Sequence, residues 1–333
     1  MGEIMRTNFY TKLLSVSVAI VAIVLVFQLF TYSSEPAKSM TTSHTNESSY
    51  AISALEIPVS INFAGEEVPI NRYDIKESFD RELLVNTYWQ SQTILFIKRA
   101  NRYFPIIEPI LKEQGVPDDF KYLSVIESGF LPRAISPAGA VGLWQFMRTT
   151  GREYGLEVTK EVDERYHIEK STIAACKYLK KMHAHYGSWT LAAAAYNAGR
   201  AGINRQLHRQ STNSYYDLLL GEETGRYVFR ILAIKEILSS PRQYGFIVKS
   251  SDLYPVIKTS QIEIKTGVKN FATFAQKHGT TYKELKNLNP WLRETYLTNS
   301  SKKTYAIKLP ANSMQFNNEP KEQKQDSTLQ AKK

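Results

Sequence analysis

The stretch KYLSVIESGFLPRAISPAGAVGLWQFMRTTGREYGL occupies residues 121–156. Glu127 ends a helical run whose other members are Leu123, Val125 and Ile126. A carboxyl among such neighbours loses hydration and its pKa rises, which suits a general acid near neutral pH. Taken alone, the same residue fits a surface glutamate near a helix C-terminus. The residues after it favour a site. Ser128-Gly129 and the glycine-rich GAVGLWQFM segment predict a bend where backbone approaches a bulky ligand. Trp144 and Phe146 are expected to offer faces for sugar rings, and Gln145 a donor and an acceptor for hydroxyl or acetamido groups. No carboxylate lies between residues 128 and 152, whereas a glycosidase normally sets a second one facing the first. Glu153, Glu157, Asp163 and Glu223 remain as partners.

Outward from this stretch the texture is helical on both sides. From Asp74 the residues Phe79, Leu83, Tyr88, Ile94 and Ile97 recur at helical intervals, with no glycine or proline before Pro105. Before them, ALEIPVSINFAGEEVPI predicts one or two strands ending in the Gly65 turn. Residues 105–247 read as short helices with turns between them. One of these, from about Ser171 to Tyr186, sets Ala175, Leu179, Met182 and Tyr186 on one face and stops at Gly187. Cys176 lies beside that face as a core thiol. Near Pro255 the pattern changes to strand, helix, helix and strand up to residue 310, followed by a polar tail over 311–333 that is expected to be disordered.

At the other end, residues 13–30 form an uncharged apolar run interrupted only by Ser15, Ser17 and Gln28. Its length fits a membrane anchor or an uncleaved signal, and Arg6 and Lys12 before it place residues 1–12 in the cytoplasm and the rest outside. The Ser/Thr-rich residues 31–54 read as a flexible linker, and 55–104 as short strands and a lead-in helix.

Four motifs, ESGF at 127–130, SPAGAVGLWQFM at 136–147, AAAAYNAG at 192–199 and ETGRYV at 223–228, resemble in order and spacing those of the family 1 lytic transglycosylases, in particular the membrane-bound transglycosylase D group. The resemblance implies a mainly α chain with a goose-lysozyme-like helical catalytic domain over 105–247. It also implies non-hydrolytic cleavage of the N-acetylmuramic acid–β-1,4–N-acetylglucosamine bond of peptidoglycan, leaving 1,6-anhydro ends. By that resemblance Glu127 is the sole acid/base. Ser128, Ser136, Gln145, Met147, Tyr196, Asn197 and Tyr227 are implied as substrate-binding or supporting residues, with Ser136 steadying the reacting sugar and Tyr196-Asn197 bracing the glutamate. Glu223 reads as a capping residue. His167-Ile168 stands where the family pattern has Asp-Pro, a departure expected to affect a helix cap only.

Residues 255–310 resemble a LysM module, a βααβ unit that binds N-acetylglucosamine-containing glycans. The usual Gly-Asp after the first strand is replaced by Thr266-Gly267-Val268, and the glycine before the last strand by Lys302-Lys303. The expected role is targeting, apart from the active site.

Composition narrows the alternatives. The 333 residues hold 42 Lys and Arg against 32 Asp and Glu, a net charge of +10, with 43% apolar and 22% charged residues. That supports a packed core and an anionic partner, without choosing between nucleic acid, a membrane surface and an anionic polymer. The resemblance implies peptidoglycan glycan strands as the partner, and the apolar N-terminal run a membrane. The charge is dispersed and no binding-module signature occurs, which argues against nucleic acid. One cysteine and six histidines without ligand spacing exclude an intramolecular disulfide and give no metal or cofactor site. The competing functions are a lysozyme-type hydrolase and a non-catalytic glycan-binding scaffold. The expected location is the cell envelope, anchored at the inner membrane and facing the periplasm, or secreted there if the leader is cleaved.

Overall fold

The computed structural model describes residues 52–311. The apolar run, most of the linker and the polar tail lie outside that range. Among the described residues no helix is long and apolar enough to cross a membrane.

The chain opens with a hairpin of β1 (Ile61–Phe63) and β2 (Glu66–Val68), registered Ile61 to Val68. Ala64 and Gly65 both take positive φ, 54° and 88°, as a two-residue hairpin turn of this hand requires. The turn thus joins two strands instead of ending one. Two helices follow, α1 (Tyr73–Tyr88) and α2 (Gln90–Glu113), separated by a break at Trp89. Sequence periodicity stops at Pro105, yet α2 runs on through Pro105 and Pro109. Both prolines lie on its exposed side, where water can satisfy the freed carbonyls, while Ala100, Tyr103, Ile107 and Leu111 face the core.

Next come α3 (Lys121–Ser128), α4 (Arg148–Glu153), α5 (Ile168–Tyr186), α6 (Trp189–Ala198), α7 (Arg200–Gln210) and α8 (Glu222–Ser239). The core lies where α8 packs on α1, α3 and α6. Ala192–Ala195 of α6 are all fully buried, so their small side chains let neighbouring helices close in. Cys176 is buried, and burial pushes its thiol up to about 12, consistent with a core thiol. Glu66 of the hairpin caps α6, accepting from the Ser188 hydroxyl at 2.9 Å and the Thr190 amide at 3.0 Å. A carboxylate on an early strand thereby fixes the helix whose far end carries Tyr196 and Asn197.

The C-terminal unit is β3 (Thr259–Ile264), α9 (Phe271–Lys277), α10 (Tyr282–Leu288) and β4 (Tyr305–Pro310), with the strands antiparallel and Ile264 opposite Tyr305. Its two departures from the module pattern are absorbed locally. A side chain on Gly267 would meet the Thr298 carbonyl at 2.6 Å, so this glycine permits the close approach of two loops. Lys302 takes a φ of 51°, and the Asn299 side chain closes the turn on both backbone polar atoms of Lys303, at 3.0 and 2.9 Å.

The module docks on the helical unit and shares a core with it. Val141, Val162 and Tyr166 share one core with Phe271, Trp291, Leu292, Leu297 and Ile307. Backbone bonds cross the seam, from the Asp163 amide to Trp291 (2.9 Å) and from the Arg293 amide to Glu161 (2.8 Å). Glu157 takes Lys303 at 3.0 Å and the Tyr305 hydroxyl at 3.1 Å, and Lys308 pairs with Glu169. His167 likewise does more than cap α5. Its ring stacks on Trp291 at 5.6 Å, and its side chain makes no cap bond. Burial opposes ionisation of Glu169, yet His167 and Lys308 hold that carboxyl down to about 2.

Candidate active site

Glu127 sits in the last turn of α3, which ends because Gly129 adopts the left-handed conformation (φ 57°). Leu123 and Val125 of the same helix are fully buried, so the carboxyl emerges from an apolar base. From α8 the Tyr227 hydroxyl donates to Glu127 Oε1. Arg230, three residues on, reaches the Ile126 carbonyl at 3.4 Å. Burial is the largest influence on Glu127 and raises its pKa. The Tyr227 bond and the Arg230 charge lower it, Glu223 raises it again, and the outcome is a value pushed up to about 7. Tyr227 and Tyr196 are themselves held well above the usual phenol value, first by burial and then by the nearby Glu127 charge.

Tyr196, near the end of α6, donates to the Trp144 carbonyl at 2.7 Å and sets its ring edge-on to Phe146 at 6.0 Å. Asn197 reaches a different target from the glutamate. Its amide donates to Glu223 Oε1 at 3.0 Å and its carbonyl accepts from the Thr224 hydroxyl at 2.8 Å, which ties α6 to the first turn of α8. Ser128 is buried behind Glu127, and its hydroxyl faces the carbonyls of Ser124 (3.1 Å) and Leu143 (3.0 Å). It fastens the glutamate's helix to the glycine-rich loop. In that loop Ser136 accepts from the Ala140 amide at 3.0 Å, and the Gln145 amide donates to the Gly142 carbonyl at 2.8 Å. Met147 remains exposed at the loop's end. Tyr227 therefore meets Glu127 directly, while Ser136 and Gln145 hold the shape of the neighbouring loop.

Two expectations fail here. Trp144 is completely buried with its indole N–H on the Thr172 hydroxyl at 2.8 Å, and Phe146 is buried against Tyr196. Neither offers a face to a sugar. In so tight a loop the largest apolar side chains are the ones that anchor it inward.

The loop has a second fastening that sequence reading did not find. Arg165 is buried in a bidentate pair with Asp163, at 2.9 and 2.7 Å, and donates to the carbonyls of Phe146 (3.0 Å) and Gly139 (3.3 Å). No local pattern marks it. Arg230 was findable, because it lies three residues after Tyr227 on one helix face.

Of the four carboxylates considered as partners, three are engaged elsewhere. Glu153 pairs with Lys181 at 3.0 Å, Glu157 with Lys303, and Asp163 with Arg165. Glu223 bears on Glu127 electrostatically and is held by Asn197. Among the described residues no group of three or more His, Cys, Asp or Glu side chains is placed to hold a metal ion.

Two family models match the chain. Residues 104–219 match the transglycosylase SLT domain, and residues 260–313 the soluble lytic transglycosylase C-terminal LysM-like domain. The membrane-bound lytic murein transglycosylase D of Escherichia coli K12 is 28% identical over 243 residues, covering 71% of this chain and 52% of that protein. The membrane-bound lytic murein transglycosylase C of Histophilus somni strain 2336 is 28% identical over 187 residues, 50% of this chain and 49% of the relative. The chain thus spans about half the length of these curated relatives. Among solved structures, the 70 kDa soluble lytic transglycosylase of Escherichia coli is 19% identical, covering 45% of this chain and 26% of its own, with a TM-score of 0.36. The chain carries a transglycosylase SLT domain followed by a LysM-like domain.

Proposed function

We propose that this chain is a lytic transglycosylase that cleaves the β-1,4 bond between N-acetylmuramic acid and N-acetylglucosamine in peptidoglycan, with Glu127 as acid and then as base. One observation carries the reading: a single carboxyl, pushed up to about 7, stands on an apolar base, and its one acidic neighbour, Glu223, is tied to Asn197. Tyr227 donates to Oε1, so the acidic proton of Glu127 resides on Oε2. That proton passes to the leaving glycosidic oxygen as the bond to C1 breaks. The substrate's own 2-acetamido carbonyl attacks C1 and forms an oxazolinium intermediate, the substrate-assisted exception to the two-carboxylate rule. The Glu127 carboxylate then takes the proton of the C6 hydroxyl. The C6 oxygen attacks C1, expels the acetamido oxygen and closes the 1,6-anhydro bridge. No water is consumed.

Glu127→Gln keeps size and hydrogen bonding but cannot transfer the proton. Release of soluble muropeptides from isolated cell walls is expected to fall by more than the ~10²–10⁴ of acid–base assistance alone, because one group serves both steps. Retention of over about a tenth of the turnover by a folded variant rules the mechanism out. Residues 13–30 are proposed to hold the enzyme at the membrane, with the catalytic unit in the cell envelope beside its glycan substrate. Full-length protein that resists extraction by high salt and alkaline carbonate supports this, and a soluble form beginning after about residue 32 contradicts it.

A further inference from the structure

Trp89 is out of character for this molecule. Trp144 and Trp291 are buried, and Trp189 lies stacked on His183 at 3.9 Å, whereas Trp89 is 60% exposed. It sits at the break between α1 and α2 with φ −86° and ψ 58°, although no glycine or proline occurs there. The backbone bonds continue around it, from its own amide to Val85 (3.0 Å) and from the Gln92 amide to its carbonyl (3.1 Å). The break leaves the indole exposed at the cost of an interrupted helix.

The ring borders a cavity of about 460 Å³ whose walls include Val85, Asn86, Glu223, Arg226 and Arg230. That volume falls within the roughly 300–1,000 Å³ of ordinary ligand sites. Arg230, in the cavity's wall, also reaches the carbonyl of Ile126 beside Glu127 at 3.4 Å, and Glu223 and Arg230 both act on the Glu127 carboxyl by charge, so the cavity lies next to the catalytic group. An apolar face ringed by a carboxylate, guanidinium groups and an amide suits a pyranose. The axial C–H face of the sugar packs on the indole, and its equatorial hydroxyl and acetamido groups meet the polar rim. Arg226 is fixed by Glu82 at 2.6 Å and Glu222 at 3.1 Å, which makes that rim rigid before ligand arrives.

We propose that Trp89 is the stacking platform of an additional saccharide subsite, which seats an N-acetylated sugar of the same glycan strand away from the bond being cleaved. The inference rests on the reading of Glu127 given above. It assigns the exposed aromatic face that Trp144 and Phe146 do not supply, and it makes affinity depend on strand length.

The test uses the full chain carrying Glu127→Gln, so that strands are bound without turnover, and peptide-free peptidoglycan glycan strands of graded length as the probe. Trp89→Ala is expected to shrink the affinity advantage of long strands over short ones by about tenfold, the scale of losing one aromatic anchor. Trp89→Phe should restore most of it. In the Trp89-containing protein, long strands should shift the indole emission to the blue, and the shift should vanish in Trp89→Phe. An unchanged length dependence in a Trp89→Ala protein with an unaltered melting temperature overturns the subsite. That outcome leaves the catalytic reading standing, which fails separately if Glu127→Gln alone still releases muropeptides.

Discussion

Glu127 and Tyr227 are separated by 100 residues and joined by one hydrogen bond. Because that bond favours the carboxylate, its loss moves the Glu127 pKa further up. Catalysis begins with the protonated acid, so kcat/KM should fall as pH rises through about 7. In Tyr227→Phe that alkaline limb should move to higher pH. Turnover should fall by as much as about 10²-fold, since the carboxyl is no longer held in one orientation. A pH–rate profile decides this, and a limb that stays in place or moves to lower pH contradicts it. The same carboxyl bears on stability. Its folded value lies above the ordinary 4.5, so ionisation costs the fold stability progressively between pH 4.5 and about 7. Glu127→Gln removes that cost. Its melting temperature should exceed the parent's at pH 8, and the two should converge by about pH 4. Of this pair the glutamate was legible from its helix and the motif after it. The hydrogen bond was not, since it depends on how α3 and α8 cross.

The loop over residues 136–147 depends on backbone more than on side-chain chemistry. Gly142 has a φ of 80°, and a Cβ there would meet the Arg165 carbonyl at 2.1 Å. Gly142→Ala therefore forces both a strained conformation and a displacement of the Asp163–Arg165 segment. Roughly 2 kcal/mol or more of stability should be lost, read by denaturant unfolding, with turnover reduced in the protein that remains folded. A variant unchanged in both would show that the loop is not pinned by this contact. At this scale the sequence was informative about glycines and misleading about aromatics. A GLWQF pattern states that large rings are present, and only the fold decides whether they turn in or out. The same limit applied to α2, where Pro105 looked like a helix end and is instead accommodated on the solvent side. Trp89 is the converse case, a break that no residue type announces.

Over the whole molecule, the C-terminal unit and the catalytic helices share a core, and the seam runs through the segment that fastens the loop beside Glu127. Asp163 donates its amide to Trp291 and pairs through its carboxylate with Arg165, which holds the Phe146 carbonyl. Ending the chain after Pro255 uncovers Val141, Val162 and Tyr166. At about 1.5–3 kcal/mol for each large apolar side chain, the catalytic unit should lose several kcal/mol. Its melting temperature should fall by roughly 10 °C, and turnover on soluble fragments should fall with it. A truncated chain as stable and active as the parent would show that the docked module supports neither property. The βααβ pattern was readable because strand and helix periods alternate within a short segment. The docking was not, because His167, Trp291 and Tyr305 meet only once both units have folded. In the proposed reaction one carboxyl performs both proton transfers and the sugar's own C6 oxygen closes the ring. Mass analysis of the products released from peptidoglycan by the full chain reads out this ring closure. Muramic acid ends lighter by one water than a hydrolysed end, formed from the first turnovers onward, are predicted. Hydrated reducing ends as the principal product would overturn this reaction and make the protein a hydrolase.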